Sequence, residues 1–198
     1  MARGALVTIA ALAVLVAAVL AGHVARAAYT SATTSPGNAF SAGTVVLGDD
    51  DAGAAVVSMS SARPGAGDVA TGCLRVTSSG SLGTTVRLYG TATGSLATLL
   101  SLVVTRGTQA GSAFPSCAGF TPDPADYSGA GAGVLYTGLL SAYPGTPETA
   151  LVDPTAGAPE TWTGGESHVY RLVLSLTDTP AAQGLSASAT FHWQGRSQ

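Results

Sequence analysis

From residue 38 onward, short runs of alternating apolar and polar residues are separated by glycine, proline, serine and threonine. A run of that kind offers one apolar face, so it needs a sheet to bury it. Turn residues after every few positions fold the chain back on itself. The last two runs alternate most cleanly. Over residues 169–176, Tyr170, Leu172, Leu174 and Leu176 fall on one face. Over residues 185–193, Leu185, Ala187, Ala189, Phe191 and Trp193 share a face, opposite Ser186, Ser188, Thr190 and His192. The link between these two runs is short enough for neighbouring strands.

Earlier runs follow the same logic. Residues 40–47 place Phe40, Ala42, Val45 and Leu47 among small or polar neighbours. Residues 54–59, 73–77 and 84–89 read as further strands. The last two, with Ser78-Ser79-Gly80-Ser81 between them, predict an antiparallel pair with Arg75 and Arg87 on its outer face. Residues 94–105 open as a helical turn and lead into a strand from Leu100. Leu139, Leu140 and Tyr143 predict a second helical turn, ended by Pro144-Gly145. Residues 106–126 and 146–159 read as loops. Seven to nine short strands with minor helical turns predict an all-β fold: an antiparallel β-sandwich or jelly roll. It occupies residues 48–198 as one domain, behind an N-terminal arm and strand over residues 28–47.

The first 27 residues read as a targeting segment. Arg3 supplies a positive start, residues 5–21 are apolar, and Ala25-Arg26-Ala27 has the small-x-small pattern that a signal peptidase reads. Cleavage is expected between Ala27 and Ala28. The alternative is an uncleaved anchor, and the run of about 17 residues is at the short limit for a span. The protein is therefore expected outside the cell or at its surface, touching the membrane only through this segment before cleavage.

Past residue 27, eleven carboxylates face six arginines, a formal charge of about −5. An acidic surface repels phosphate backbones, so nucleic acid is not an expected partner. The chain has no lysine, which excludes Schiff-base chemistry and lysine isopeptide links. Its two cysteines, Cys73 and Cys117, are expected to pair in an oxidising compartment. Asp49-Asp50-Asp51 lacks the alternating ligands of an EF-hand loop and reads as a solvated turn.

No motif for catalysis stands out, and neither a cofactor nor a metal is expected. A zinc hydrolase needs three protein ligands and an open position. Past the leader there are only two histidines, His168 and His192, and no HExxH. Glu166 and His168 would share a strand face, with His192 across the sheet, a weak grouping. Serine chemistry lacks its elbow motif. The acids Asp123, Asp126, Glu148 and Glu160 fall in expected loops. A sugar platform is the other option: Trp162 and Tyr143 are its candidate aromatics, and burial of Trp162 would argue against it.

Ala28-Tyr29-Thr30, followed by Asn38-Ala39-Phe40-Ser41-Ala42-Gly43-Thr44-Val45-Val46-Leu47, resembles the mature start of the TasA/camelysin family. Pro64-Gly65, then Val76-Thr77-Ser78-Ser79-Gly80-Ser81, is similar to a family segment in which Asp is usual where Ala66 stands. Trp162 to Gly165, residues 170–176 and residues 189–193 are similar to its last strands. The alanine-rich, lysine-free composition looks actinobacterial. The resemblance implies export through a dedicated, SipW-type signal peptidase, a jelly roll, and a structural role in a cell surface or biofilm matrix. It also implies fibres built by donor-strand addition, with self or related matrix proteins as partners. Phe40, Val45 and Leu47 would form the assembly strand. Camelysin has been described as a metalloprotease, so the resemblance carries that alternative too. From the residues alone, the strand could equally pair within its own subunit.

Overall fold

The computed structural model describes residues 43–54, 68–111, 113–154, 158–176 and 180–198. These belong to a unit running from Ala42 to Gln198. Two antiparallel sheets make it up. The larger contains β1 (Leu47–Asp49), β2 (Val69–Ser78), β4 (Leu100–Thr108), β5 (Thr121–Pro122), β6 (Val134–Leu139) and β8 (Ser167–Leu176). Its order is β1-β2-β8-β4-β5, and β6 pairs β4 beside β5. The smaller contains β7 (Leu151–Asp153), β3 (Thr84–Thr93) and β9 (Ser188–Ser197), in the order β7-β3-β9. This is the all-β sandwich expected from the alternating runs, and the chain crosses between its sheets from β2 to β3, from β3 to β4 and from β8 to β9.

Alternation puts one face of each long strand into the core. Leu74 and Val76 of β2, Leu100, Leu102 and Val104 of β4, and Tyr170, Leu172, Leu174 and Leu176 of β8 point inward from one sheet. Val86 and Leu88 of β3 meet them from the other, and Ala189, Phe191 and Trp193 of β9 pack against the cluster. Each fully buried large aliphatic side chain contributes roughly 1.5–3 kcal/mol against exposure. The interior is therefore shared between the sheets, and neither sheet has it alone.

The expected hairpin of β2 and β3 does not form. β2 pairs β8, while β3 pairs β7 and β9. Likewise β8 and β9 lie in different sheets. The faces were predicted correctly and the partners were not, because alternation fixes which side is buried and says nothing of who lies alongside. Arg75 and Arg87 do more than solubilise. Arg75 Nη2 donates to the carbonyls of Gln109 at 2.6 Å and Gly111 at 2.7 Å, and Arg87 Nη1 to that of Pro147 at 3.2 Å.

The expected helical turns are present as short 3-10 turns at Ser95–Thr98 and Leu140–Ala142. Two expected loops contain strand. β4 continues through Arg106 to Thr108, and β7 lies within residues 146–159. Cys73 and Cys117 are joined by a disulfide. It ties β2 to the loop between β5 and β4, beside buried Ala113 and Val169. Asp50 pins the same region: Oδ1 accepts the Arg75 amide at 2.8 Å, and Oδ2 accepts those of Ala113 and Phe114 at 3.2 and 3.1 Å. The Asp49–Asp51 turn is thus a structural anchor at its middle residue. Of the strand expected over residues 54–59, all but Ala54 lies outside the described residues. No helix among the described residues is long and apolar enough to cross a membrane.

Candidate functional site

The inward stripes of β4 and β8 do not end with their last apolar residue. On β4 the two-residue period carries on from Leu100, Leu102 and Val104 to Arg106. On β8 it runs from Leu172 back through Tyr170 to His168. Arg106 stands opposite Tyr170 in the register, and His168 opposite Val76. One end of the core is therefore polar and charged.

Arg106 is the hub, and only 6% of it is exposed. Its Nε donates to Asp123 Oδ2 at 2.5 Å and its Nη2 to the Tyr127 hydroxyl at 2.6 Å. Its Nη1 donates to Asp153 Oδ1 at 3.1 Å and also to Glu160 Oε2. The Tyr127 hydroxyl in turn donates to Asp123 Oδ2 at 2.9 Å, and its ring lies beneath the guanidinium, 4.9 Å from the carbon to the centroid. The Tyr170 hydroxyl donates to Asp153 Oδ2 at 2.7 Å. Asp153 is fully buried, so both its oxygens are satisfied without water.

These contacts set the protonation preferences. Burial alone would lower the Arg106 pKa, but the Asp153 charge and the bonds to Asp123 and Glu160 overcome it and hold the guanidinium above its usual value. Burial pushes the Asp153 carboxyl up, and the Arg106 charge and Tyr170 hydroxyl recover only part of that. Tyr127 is pushed up to about 12 by burial and by its bond to Asp123. Tyr170 rises further through burial and the Asp153 charge. This is the pattern of a desolvated charge held by partners of opposite sign.

At the rim, Glu160 faces both Arg106 and His168. His168 Nε2 lies 3.2 Å from Glu166 Oε1 and 3.8 Å from Glu160 Oε2. His168 Nδ1 is buried without a hydrogen-bond partner, so the ring's polar contacts are all at Nε2. Glu166 Oε2 accepts the amide of Thr163 at 2.8 Å and its hydroxyl at 3.2 Å. Burial pushes Glu166 up, but the Thr163 bonds and His168 outweigh it and leave the carboxyl below its usual range. The His168 ring packs on Trp162, 4.6 Å between centroids.

The grouping of Glu166 and His168 with His192 does not form. His192 stacks on Tyr89 in the other sheet, 5.0 Å between ring centroids. Glu160 takes the third place instead. Trp162 is fully buried and Tyr143 is 8% exposed, with Tyr143 edge-on to Tyr136 and Phe191. Neither presents a face for a sugar to stack on, so this pair is core and not a platform.

A second feature involves the N-terminal segment. Thr44 and Val46 run alongside the turn that follows β2: Ser79 and Ser81 donate to the carbonyls of Val46 and Thr44, each at 2.9 Å, and Thr44 donates back to Ser81 Oγ at 3.0 Å. Leu47 then opposes Ser78 as β1 begins. Two glycines shape this seat. A Cβ on Gly80 would stand 2.4 Å from the Thr44 carbonyl oxygen, and one on Gly195 would stand 2.8 Å from Val45 Cγ1 and 3.4 Å from Leu47 Cδ1. Val45 and Leu47 are half-buried there. The last residues of the arm expected over 28–47 thus sit on the sandwich, and β1 straddles the expected boundary at 47/48. Phe40 and the expected cleavage site at Ala27 and Ala28 lie outside the described residues. No protein-family model matches the chain, and no curated protein matches it in sequence.

Proposed function

We propose that this is an exported structural protein of the TasA/camelysin type, which self-associates by lending its N-terminal segment to the sandwich of a neighbouring copy. The observation that carries the reading is the seat of residues 44–47. The segment is held by main-chain bonds at the end of β2, and glycines at positions 80 and 195 leave room for it. Main-chain pairing gives such a seat affinity, and Val45 and Leu47 give it selectivity. A strand near the start of the chain can leave its own seat and fill that of a second copy, which is a low-cost route to assembly. The resemblance in residues 38–47 and the leader-like first 27 residues support the same reading.

Electron microscopy and size exclusion test it on protein beginning at Ala28, beside a version beginning at Gly48 and a Gly195→Leu variant. Fibres or ladders are expected from the first and are expected to disappear in the other two. A stable monomer from Ala28, with misfolding on truncation, would mean that the strand serves its own subunit.

A further inference from the structure

We propose that Glu160, Glu166 and His168 bind a divalent cation of the zinc type, a site independent of the assembly reading. One oxygen from each glutamate and one imidazole nitrogen all lie within 4.8 Å of one another. The two separations from His168 Nε2 are 3.2 and 3.8 Å. A zinc ion bonds nitrogen at about 2.0–2.1 Å and carboxylate oxygen at about 2.0–2.2 Å in a tetrahedron, which places neighbouring donor atoms about 3.3–3.5 Å apart. The two separations from His168 Nε2 bracket that spacing, and the two carboxylate oxygens lie within 4.8 Å of each other, so side-chain adjustment alone can close the site.

The donor set selects the class of ion. An imidazole nitrogen favours zinc and its neighbours over calcium or magnesium, which take oxygen. Three protein ligands leave one corner for water, and the side chains are 14–32% exposed, so an ion can reach them from solvent.

The charge balance favours a cation. Three carboxylates, Asp123, Asp153 and Glu160, share the one guanidinium of Arg106, and Glu166 lies beyond them against His168. Arg106 spends its contacts on Asp123, Asp153, Glu160 and Tyr127 and makes none to Glu166. Glu166 takes no share of that guanidinium, and a dication offsets its charge.

The ligands are also held in place before any ion arrives. Thr163 fixes the far oxygen of Glu166, Arg106 holds Glu160 through the same Oε2 that faces His168, and Trp162 backs the His168 ring. Outer contacts of this kind orient ligands and sustain affinity. All three ligands come from residues 160–168, so the ion would clamp the corner that leads into β8.

The test uses protein expressed from the full coding sequence, recovered as the host exports it, stripped with chelator and dialysed. Zn2+ alone is titrated by calorimetry and by thermal melting. One equivalent should bind, and the melting temperature should rise by several degrees once Zn2+ is about a hundredfold above its dissociation constant. Glu166→Gln keeps the size of the side chain and should weaken binding at least about tenfold, as should His168→Ala. His192→Ala should leave binding unchanged. Absence of heat and of any melting shift up to millimolar Zn2+ would overturn the proposal. So would affinity unchanged in both Glu166→Gln and His168→Ala.

Discussion

Replacing Arg106 by Met tests the charged end of the core most directly. Methionine keeps the length of the aliphatic stem and removes the guanidinium. Asp153 then loses the ion pair to Oδ1 and keeps only the Tyr170 hydroxyl on Oδ2. Its side chain has no access to water. Removing one partner of a buried pair typically costs about 3–5 kcal/mol, mostly from the charge left behind. Asp123 and Glu160 are 15% and 32% exposed and recover part of their loss from solvent, so they add little to that figure. For a chain of this size the melting temperature should fall by roughly 6–20 °C. Adding Asp153→Asn to Arg106→Met removes the stranded charge and retains an acceptor for Tyr170. It should recover about half of the loss, whereas Asp153→Asn alone should destabilise. Urea unfolding followed by tryptophan fluorescence reads both effects. If Arg106→Met costs less than about 1 kcal/mol, or if Asp153→Asn deepens the loss instead of relieving it, the cluster is not held by buried charge pairing.

Trp162→Ala should destabilise by about 3–5 kcal/mol as a core truncation. Trp162→Phe should cost much less, because the indole N–H makes no hydrogen bond, and calorimetric unfolding separates the two. Replacing Cys73 and Cys117 by Ala together should lower stability by about 4 kcal/mol, the loop-closure entropy for a separation of 44 residues, and denaturant midpoints with and without the bond check it. Alkaline titration followed by tyrosinate absorbance should lag behind that of free tyrosine. Tyr127 is pushed up to about 12, and Tyr136, Tyr143 and Tyr170 are raised by burial. Their stabilisation is complete below the unfolded value near 10 and is lost as pH rises through the folded values, so late ionisation should coincide with unfolding. Normal titration of all these residues in folded protein would contradict their placement.

Much of the sandwich was legible because its signal is local. The alternation of Tyr170, Leu172, Leu174 and Leu176 can be seen within one strand, and two cysteines leave one disulfide to draw. Strand partners were illegible, because nothing within residues 73–77 records that residues 167–176 lie alongside. The charged cluster failed for the same reason, since Arg106, Asp123, Asp153 and Glu160 come from four separate stretches. One trace of it was present. Arg106 and His168 continue the period of the apolar faces before them, and a charge in register with a core stripe points to a buried partner. The Gly and Ser residues after Arg106 made it look like the first residue of a loop. Glu166 and His168 were legible as a pair from their spacing of two, but their third neighbour depended on where the chain returns after β7.

The position of β8 bears on when this protein can become folded at all. In the larger sheet it lies between β2 and β4 and is the strand that joins them. Its last residue is Leu176 in a chain of 198. The smaller sheet likewise needs β9 along the whole length of β3. A growing chain therefore carries most of its strands without a centre, and neither sheet closes until β8 and β9 have been made. Such non-local closure is slow, because the loop entropy is lost before the contacts form. If the chain is exported as an extended thread, as the proposed function holds, that delay keeps it threadable until β8 and β9 have emerged.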